Sequence, residues 1–339
     1  MWLPVPNSEG LLSLLRSQFG DLVQLMKNRH KVSTPQDVQK LFSQEFGKNR
    51  DYCFEVRRLR TFLKLGDSVC QVRKGDDPAG SGFSLFGKYI LTNGHVVGTD
   101  AAHHQNIRVV FSFESLEGNH QPIPVKVVAR DFIKKSALIP KFDWALLEAE
   151  AELPPPLLED FGLVTDKGML CIIGHPDGKV KKIDPCFTIP LEERTQKVMP
   201  FITKEYFETN INDRSINNKD IQTYDTCFFG GSSGSPVFDE NFKVVSMHSG
   251  GFYTESKGVY PNPKEIVSKV MEYSHSLSVI VQQIIIQLVD NDEFPLRVMI
   301  DCIPSEQRDG LKKELLQSRE DLREKIEALF SPIVHMETD

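Results

Sequence analysis

The chain has 339 residues, of which 40% are hydrophobic and 26% charged, and a formal net charge of −7. This length and composition suit one large or two ordinary globular domains. The negative balance leaves no electrostatic basis for nucleic-acid binding, which draws on a basic face. No run reaches the apolar length of a membrane span; the densest, 279–289, is interrupted by Gln282, Gln283 and Gln287.

The opening residues lack the basic start and continuous apolar stretch of a signal peptide, so an intracellular protein is expected. Residues 1–60 are predicted to be a helical segment. Thr34 before Pro35 is a cap for a helix with Val38, Leu41, Phe42 and Phe46 on its apolar face. Residues 61–150 hold short β-type runs at 83–86, 89–92, 107–113, 124–129 and 144–147, separated by turn residues, which predicts an all-β barrel or sandwich. Residues 151–162 contain Pro154, Pro155 and Pro156, an extended and semi-rigid connector. A second strand set follows within 163–290, with runs at 169–173, 186–189, 236–238 and 244–247. Residues 191–223 are polar and irregular and are read as a long surface loop. Residues 265–289 have a helical pattern that becomes solidly apolar and predicts a helix packed on the second strand set. The tail, 291–339, is predicted helical, with Leu311, Leu315, Leu322, Ile326 and Leu329 at mostly helical spacing.

The most informative stretch is Gly230-Gly231-Ser232-Ser233-Gly234-Ser235-Pro236. Glycines permit a tight turn, and such a turn exposes one hydroxyl while aiming nearby N–H groups. A serine nucleophile also needs a base and a group that orients the base. His95 follows the strand-like run Tyr89-Ile90-Leu91-Thr92, and Asp143 opens the run Trp144-Ala145-Leu146-Leu147. The chain order is His, Asp, Ser, as in the chymotrypsin arrangement. His103 and His104 read as a solvated pair, since no Cys or carboxylate accompanies them at ligand spacing. No metal and no cofactor is expected.

These motifs resemble trypsin-like serine proteases. The flanking segments, Tyr224-Asp225-Thr226-Cys227-Phe228-Phe229, Ile172-Ile173-Gly174-His175-Pro176, Leu41-Phe42-Ser43-Gln44-Glu45-Phe46-Gly47-Lys48 and Gly66-Asp67-Ser68-Val69, resemble the "family with sequence similarity 111" group over roughly residues 35–290. The resemblance implies a mostly β fold of two six-stranded antiparallel barrels, chymotrypsin-like, with flanking helices at both ends. A protease domain would span 61–290: barrel one at 61–150, a linker at 151–162, then barrel two and its C-terminal helix at 163–290.

By the same resemblance His95, Asp143 and Ser233 form the catalytic triad, and the N–H groups of Gly231 and Ser233 the oxyanion hole. Cys227, six residues before Ser233, would line the base of the substrate pocket, and Ser249, Gly250 and Gly251 its wall. With no acid at Cys227, a preference for aromatic or large apolar residues before the cut bond is expected. Ser232 occupies the position where digestive zymogens carry an activating Asp, and no activation segment of their kind precedes the first barrel. Self-cleavage after Phe201 or Phe207 is a further expectation. The cysteines at 53, 70, 171, 186, 227 and 302 read as reduced thiols. The partners implied are protein or peptide substrates, with either terminal helix a candidate homo-oligomer contact and no membrane. The group's nuclear and cytoplasmic setting, its nucleic-acid association and its link to DNA replication and removal of protein–DNA obstacles enter through the resemblance alone. The alternative reading is an inactive protease fold used as a binding scaffold.

Overall fold

The computed structural model describes residues 55–98, 106–117, 120–131, 142–198, 218–228, 230–256, 266–290 and 296–331. The helix read from residues around 35–46 lies outside them. The chain divides into two units, Met1–Arg58 and Leu59–Asp339, and both barrels belong to the second.

Helix α1, Val56–Gly66, precedes the sheets and crosses the 60/61 boundary drawn from sequence. Six strands then close into a barrel: β1 Val69–Lys74, β2 Asp77–Phe86, β3 Tyr89–Thr92, β4 Ile107–Val110, β5 Ile123–Arg130 and β6 Ala145–Ala149. Their order around the ring is β1-β2-β3-β6-β5-β4, with every pairing antiparallel. Closure leaves no free sheet edge. The interior is filled by Cys70, Val72, Ile90, Val109, Val125, Ala145 and Leu147. Burying a full aliphatic side chain stabilises by about 1.5–3 kcal/mol.

A second closed barrel repeats the plan with β7 Met169–Gly174, β8 Lys182–Ile189, β9 Ile221–Asp225, β10 Pro236–Asp239, β11 Val244–Ser256 and β12 Ile266–Ser276, ordered β10-β11-β12-β9-β8-β7. Its core gathers Leu170, Ile172, Cys186, Tyr224, Phe228, Val237 and Val245. The proline-rich connector bends into a 3₁₀ turn, Leu157–Asp160. It is tied to barrel one, where the hydroxyls of Ser68 and Ser84 donate to the carbonyls of Pro155 and Pro154.

Two stretches differ from the sequence reading. Residues 266–276, read as helical, form β12, because both edges of that segment find partners: β11 along its length and β9 at 272–275. Within the region read as loop, 191–198 form helix α3 (Leu191–Val198) and 221–225 form β9. Helix α2, Gly94–Val97, is a single turn after β3. Helix α4, Leu277–Leu288, buries Ile280, Val281, Ile284, Ile285 and Leu288. The tail forms α5 Leu296–Cys302, α6 Ser305–Ser318 and α7 Arg323–Phe330, and α5 packs on β2 and the 3₁₀ turn.

Candidate active site

His95 sits on α2 just ahead of two anchors. Val96 and Val97 are buried, while the His95 side chain is 46% exposed. Asp143 lies at the mouth of β6, 5% exposed and in the left-handed region with φ 44. Aspartate tolerates that conformation better than most residues, and such positions concentrate at functional sites. Its Oδ1 accepts the His95 backbone N–H at 2.9 Å, and its Oδ2 lies 2.6 Å from His95 Nδ1. The carboxylate accepts, so the imidazole carries its proton on Nδ1 and leaves Nε2 as the acceptor. Asn93 Nδ2 donates both to the Asp143 carbonyl at 2.7 Å and to Ser249 Oγ at 3.1 Å, linking the two barrels behind the pair.

The serine turn is fixed by its backbone. Gly231 and Gly234 both adopt φ 90. A Cβ at Gly234 would lie 2.0 Å from the Ser81 carbonyl oxygen, so only glycine fits. Ser81 N–H donates to the Ser233 carbonyl at 2.8 Å, and Gly234 N–H to the His248 carbonyl at 2.8 Å. A Cβ on Gly80 would meet both Val96 and the Ser233 carbonyl, so the serine turn and the His95 helix flank Gly80.

The peptide planes of this turn are pinned from outside. Asp177 N–H donates to the Gly230 carbonyl at 2.5 Å, and Ser235 N–H to the Ser232 carbonyl at 3.0 Å. In a trans peptide the next N–H points opposite to its carbonyl. The Gly231 and Ser233 N–H groups are thereby turned away from these contacts, and neither has a partner among the described residues. Ser81 Oγ bridges the same turn, accepting from His175 N–H at 2.9 Å and donating to the Gly231 carbonyl at 3.0 Å. Among the described residues no hydrogen bond joins Ser233 Oγ to His95 Nε2; such bonds often tighten only when substrate binds.

The predicted pocket residues fall in two places. Cys227 is exposed, its N–H donating to Asp184 Oδ2 at 2.8 Å, and Thr226 Oγ1 donates to the same oxygen. Ser249 is buried, and Gly250 and Gly251 are half-buried along β11. Glu272, fully buried, lies opposite Gly251 on β12.

Motif reading missed Asn93, Ser81, Asp177 and Asp184. Each acts through a backbone partner brought close by folding, so no spacing announces it. Two further histidines lie nearby. Burial holds His175 down at about 4 although its Nδ1 meets the Lys179 carbonyl. Burial likewise lowers His275 to about 4, with the Asp143 charge opposing. Among the described residues no three His, Cys, Asp or Glu are grouped to hold a metal ion.

Residues 80–247 match the trypsin-like peptidase domain family. The chain is 31% identical over 242 residues to the serine protease FAM111A of Mus musculus, covering 62% of this chain and 39% of that one. It is 35% identical over 127 residues to the serine protease FAM111B of Homo sapiens, covering 33% and 17%. The chain thus spans well under half the length of these relatives. Among solved structures it is similar to Rv3671c of M. tuberculosis in an inactive form, at 18% identity and a TM-score of 0.46, covering 69% of this chain and 92% of that one. It is also similar to the MamO protease domain of Magnetospirillum magneticum, at 16% identity and a TM-score of 0.42, covering 66% and 98%.

Proposed function

We propose that this chain, a member of the FAM111-type trypsin-like serine proteases, is an active endopeptidase that works through His95, Asp143 and Ser233. The observation that carries the reading is the Asp143–His95 pair, doubly bonded and set beside a serine turn with two unengaged N–H groups. Ser233 Oγ attacks the peptide carbonyl carbon, and its proton passes to His95 Nε2. Asp143 holds the imidazole in the receptive tautomer and stabilises the imidazolium. The Gly231 and Ser233 N–H groups receive the negative charge on the carbonyl oxygen. Collapse breaks the C–N bond as His95 returns the proton to the leaving amine. Water, deprotonated by His95, then hydrolyses the acyl-enzyme.

A fluorophosphonate probe tests this directly. Wild-type protein is expected to label and Ser233→Ala to remain unlabelled, and substitution of the serine is expected to lower kcat by roughly a million-fold, the scale of triad removal. Labelling of both proteins, or of neither, returns the chain to the scaffold reading.

The pocket reading is cleavage after aromatic or large apolar residues, supported by a thiol at Cys227 and glycines at Gly250 and Gly251. Glu272 favours a second reading, since a buried carboxyl behind that wall suits a basic residue. Peptides varied only at the residue before the cut bond separate the two: preference for Phe or Leu supports the first, and preference for Arg or Lys transfers specificity to Glu272. Self-cleavage after Phe201 or Phe207 is proposed on the same preference; intact mass spectra identical to those of Ser233→Ala would refute it. A nuclear and cytoplasmic role in removing protein obstacles during DNA replication is proposed from the family resemblance. Unchanged fork speed in cells carrying only Ser233→Ala protein would remove that role.

A further inference from the structure

Strand β5 ends at Arg130, which pairs with Ala145, the first residue of β6. One step further on, Asp131 N–H still donates to the Trp144 carbonyl at 2.9 Å. A side chain supplies the next rung. Asp131 Oδ2 accepts the Phe142 N–H at 3.1 Å, from a residue eleven positions along the chain. These two bonds hold the residues on either side of Asp143, which turns through φ 44 between them. A left-handed aspartate persists where its surroundings over-determine it.

The same short segment reaches both ends of the His95 helix. A Cβ on Gly94 would lie 2.7 Å from the Asp131 carbonyl oxygen and 3.2 Å from both Asp143 Oδ1 and the Trp144 carbonyl oxygen. The end of β5, Asp143 and the start of α2 are therefore in contact, and only glycine fits at 94. At the far end of α2 the Arg130 guanidinium donates to the carbonyl of Gly98, the residue that caps the helix. A basic side chain bonding the last carbonyls is a common way to finish a helix.

We infer that Asp131 is a positioning residue for the Asp143–His95 pair. Its carboxylate holds Phe142 and its backbone holds Trp144, so the Asp143 carboxylate stays aimed at His95 Nδ1. The inference rests on the acyl-enzyme reading for its effect on rate, and on these bonds for its geometry. Asp131 acts through Asp143 and has no part in the chemical steps. The duty assigned to its carboxylate is to accept one N–H. An amide oxygen can take that duty over, and a methyl group cannot. Without the acceptor, Phe142 loses its anchor and the turn at Asp143 relaxes towards commoner backbone regions. A misplacement of about 1 Å in such a constellation costs about 100-fold in rate.

The test measures fluorophosphonate labelling of Ser233 over a range of probe concentrations, which separates the maximal rate from probe affinity. Asp131→Ala is expected to lower the maximal rate by roughly 10–100-fold with probe affinity unchanged. Asp131→Asn keeps an oxygen for the Phe142 N–H and is expected to label near the wild-type rate. In an Asp143→Asn background, Asp131→Ala is expected to add little, because residues that act through one another are not additive. The proton between His95 Nδ1 and Asp143 is followed separately by NMR. Its far-downfield resonance is expected in wild type and in Asp131→Asn, and its loss in Asp131→Ala. Unchanged labelling or a retained resonance in Asp131→Ala overturns the positioning role. So does an equal loss in both backgrounds, or an Asp131→Asn variant as slow as Asp131→Ala. If Asp131→Ala does not fold, Asp131→Asn labelling and exchange of the Phe142 amide in wild type decide the matter. A protected amide with near wild-type labelling supports the role, and exchange as fast as that of an exposed amide overturns it. If no variant and no wild-type protein labels while the resonance still depends on Asp131, the positioning stands and the acyl-enzyme reading falls.

Discussion

Asp143 holds its φ of 44 because three bonds fix it: His95 through N–H and Nδ1, and Asn93 through the carbonyl. Asp143→Asn preserves the shape but offers an amide where Nδ1–H needs an acceptor, so the imidazole turns to the wrong tautomer. We expect kcat to fall about 10⁴-fold with folding intact, measured as turnover beside circular dichroism. The sequence displayed His95, Asp143 and Ser233 because each follows a local pattern, a strand end or a glycine turn. It did not display His275, which is buried against the Phe142 and Tyr273 rings by the register of β12. His175 and His275 are both held near 4, below the ordinary 6.5. Between pH 6.5 and 4 the unfolded chain takes up protons that the folded chain refuses, so folded stability falls as pH drops through that window. Each histidine accounts for about 3 kcal/mol over the full drop. His275→Phe is expected to flatten the decline of Tm between pH 7 and 4.5. A slope equal to that of wild type would show that His275 does not titrate as described.

At the scale of elements, the two strand sets and the connector between them were legible because short β-branched and apolar runs alternate with glycine, proline and asparagine. Strands β1 and β12 were less so. Arg73 and Lys74 close β1 with charge, and β12 carries Ser, Lys, Glu, Tyr and His in a pattern that only its neighbours decide. The turn 230–236 was legible as a turn, but its rigidity comes from β2, through Ser81, and from the 3₁₀ turn Pro176–Gly178, through Asp177 N–H. Ser81→Ala removes the hydroxyl shared by the Gly231 carbonyl and His175 N–H. Both partners are then left short of a bond, and the Gly231–Ser232 peptide, which lies between the two donor peptides, loses its anchor while Asp177 still holds the Gly230 carbonyl. Direct loss of an oxyanion donor costs about 10²–10³ in kcat; this indirect loss is expected to cost about 10-fold, with KM little changed. A rise in KM at unchanged kcat would place Ser81 in substrate binding instead.

At the scale of the whole molecule the site exists only where the barrels meet, so whatever holds them together holds the chemistry. The bonds that cross directly include Asn93 to Ser249, Ser81 N–H to the Ser233 carbonyl, Ser81 Oγ to the Gly231 carbonyl, His175 N–H to Ser81 Oγ, and Gln71 to the Gly178 carbonyl at 2.8 Å. Lys181 adds a further tie, its Nζ donating to the carbonyls of Gly66 at 2.7 Å and Phe111 at 2.8 Å. The carboxyl-terminal helices reinforce the same seam from outside. Met299, Ile300 and Ile303 are buried, and α5 lies on β2 and the 3₁₀ turn of the connector. A tail that served only assembly would leave this surface dispensable. A chain ending at residue 290 would instead bare the apolar side of the connector and lose those three anchors. Met299→Ala alone is expected to cost about 2–5 kcal/mol, the range for opening a cavity in a packed core. Urea unfolding followed by fluorescence measures it, with fluorophosphonate labelling of Ser233 tracked in the same samples. Labelling should vanish with the fluorescence change, as one cooperative unit. A variant that keeps its urea midpoint but changes its oligomeric state would assign the tail to assembly, and labelling that fails well before the fluorescence would mean that the barrels part before they unfold.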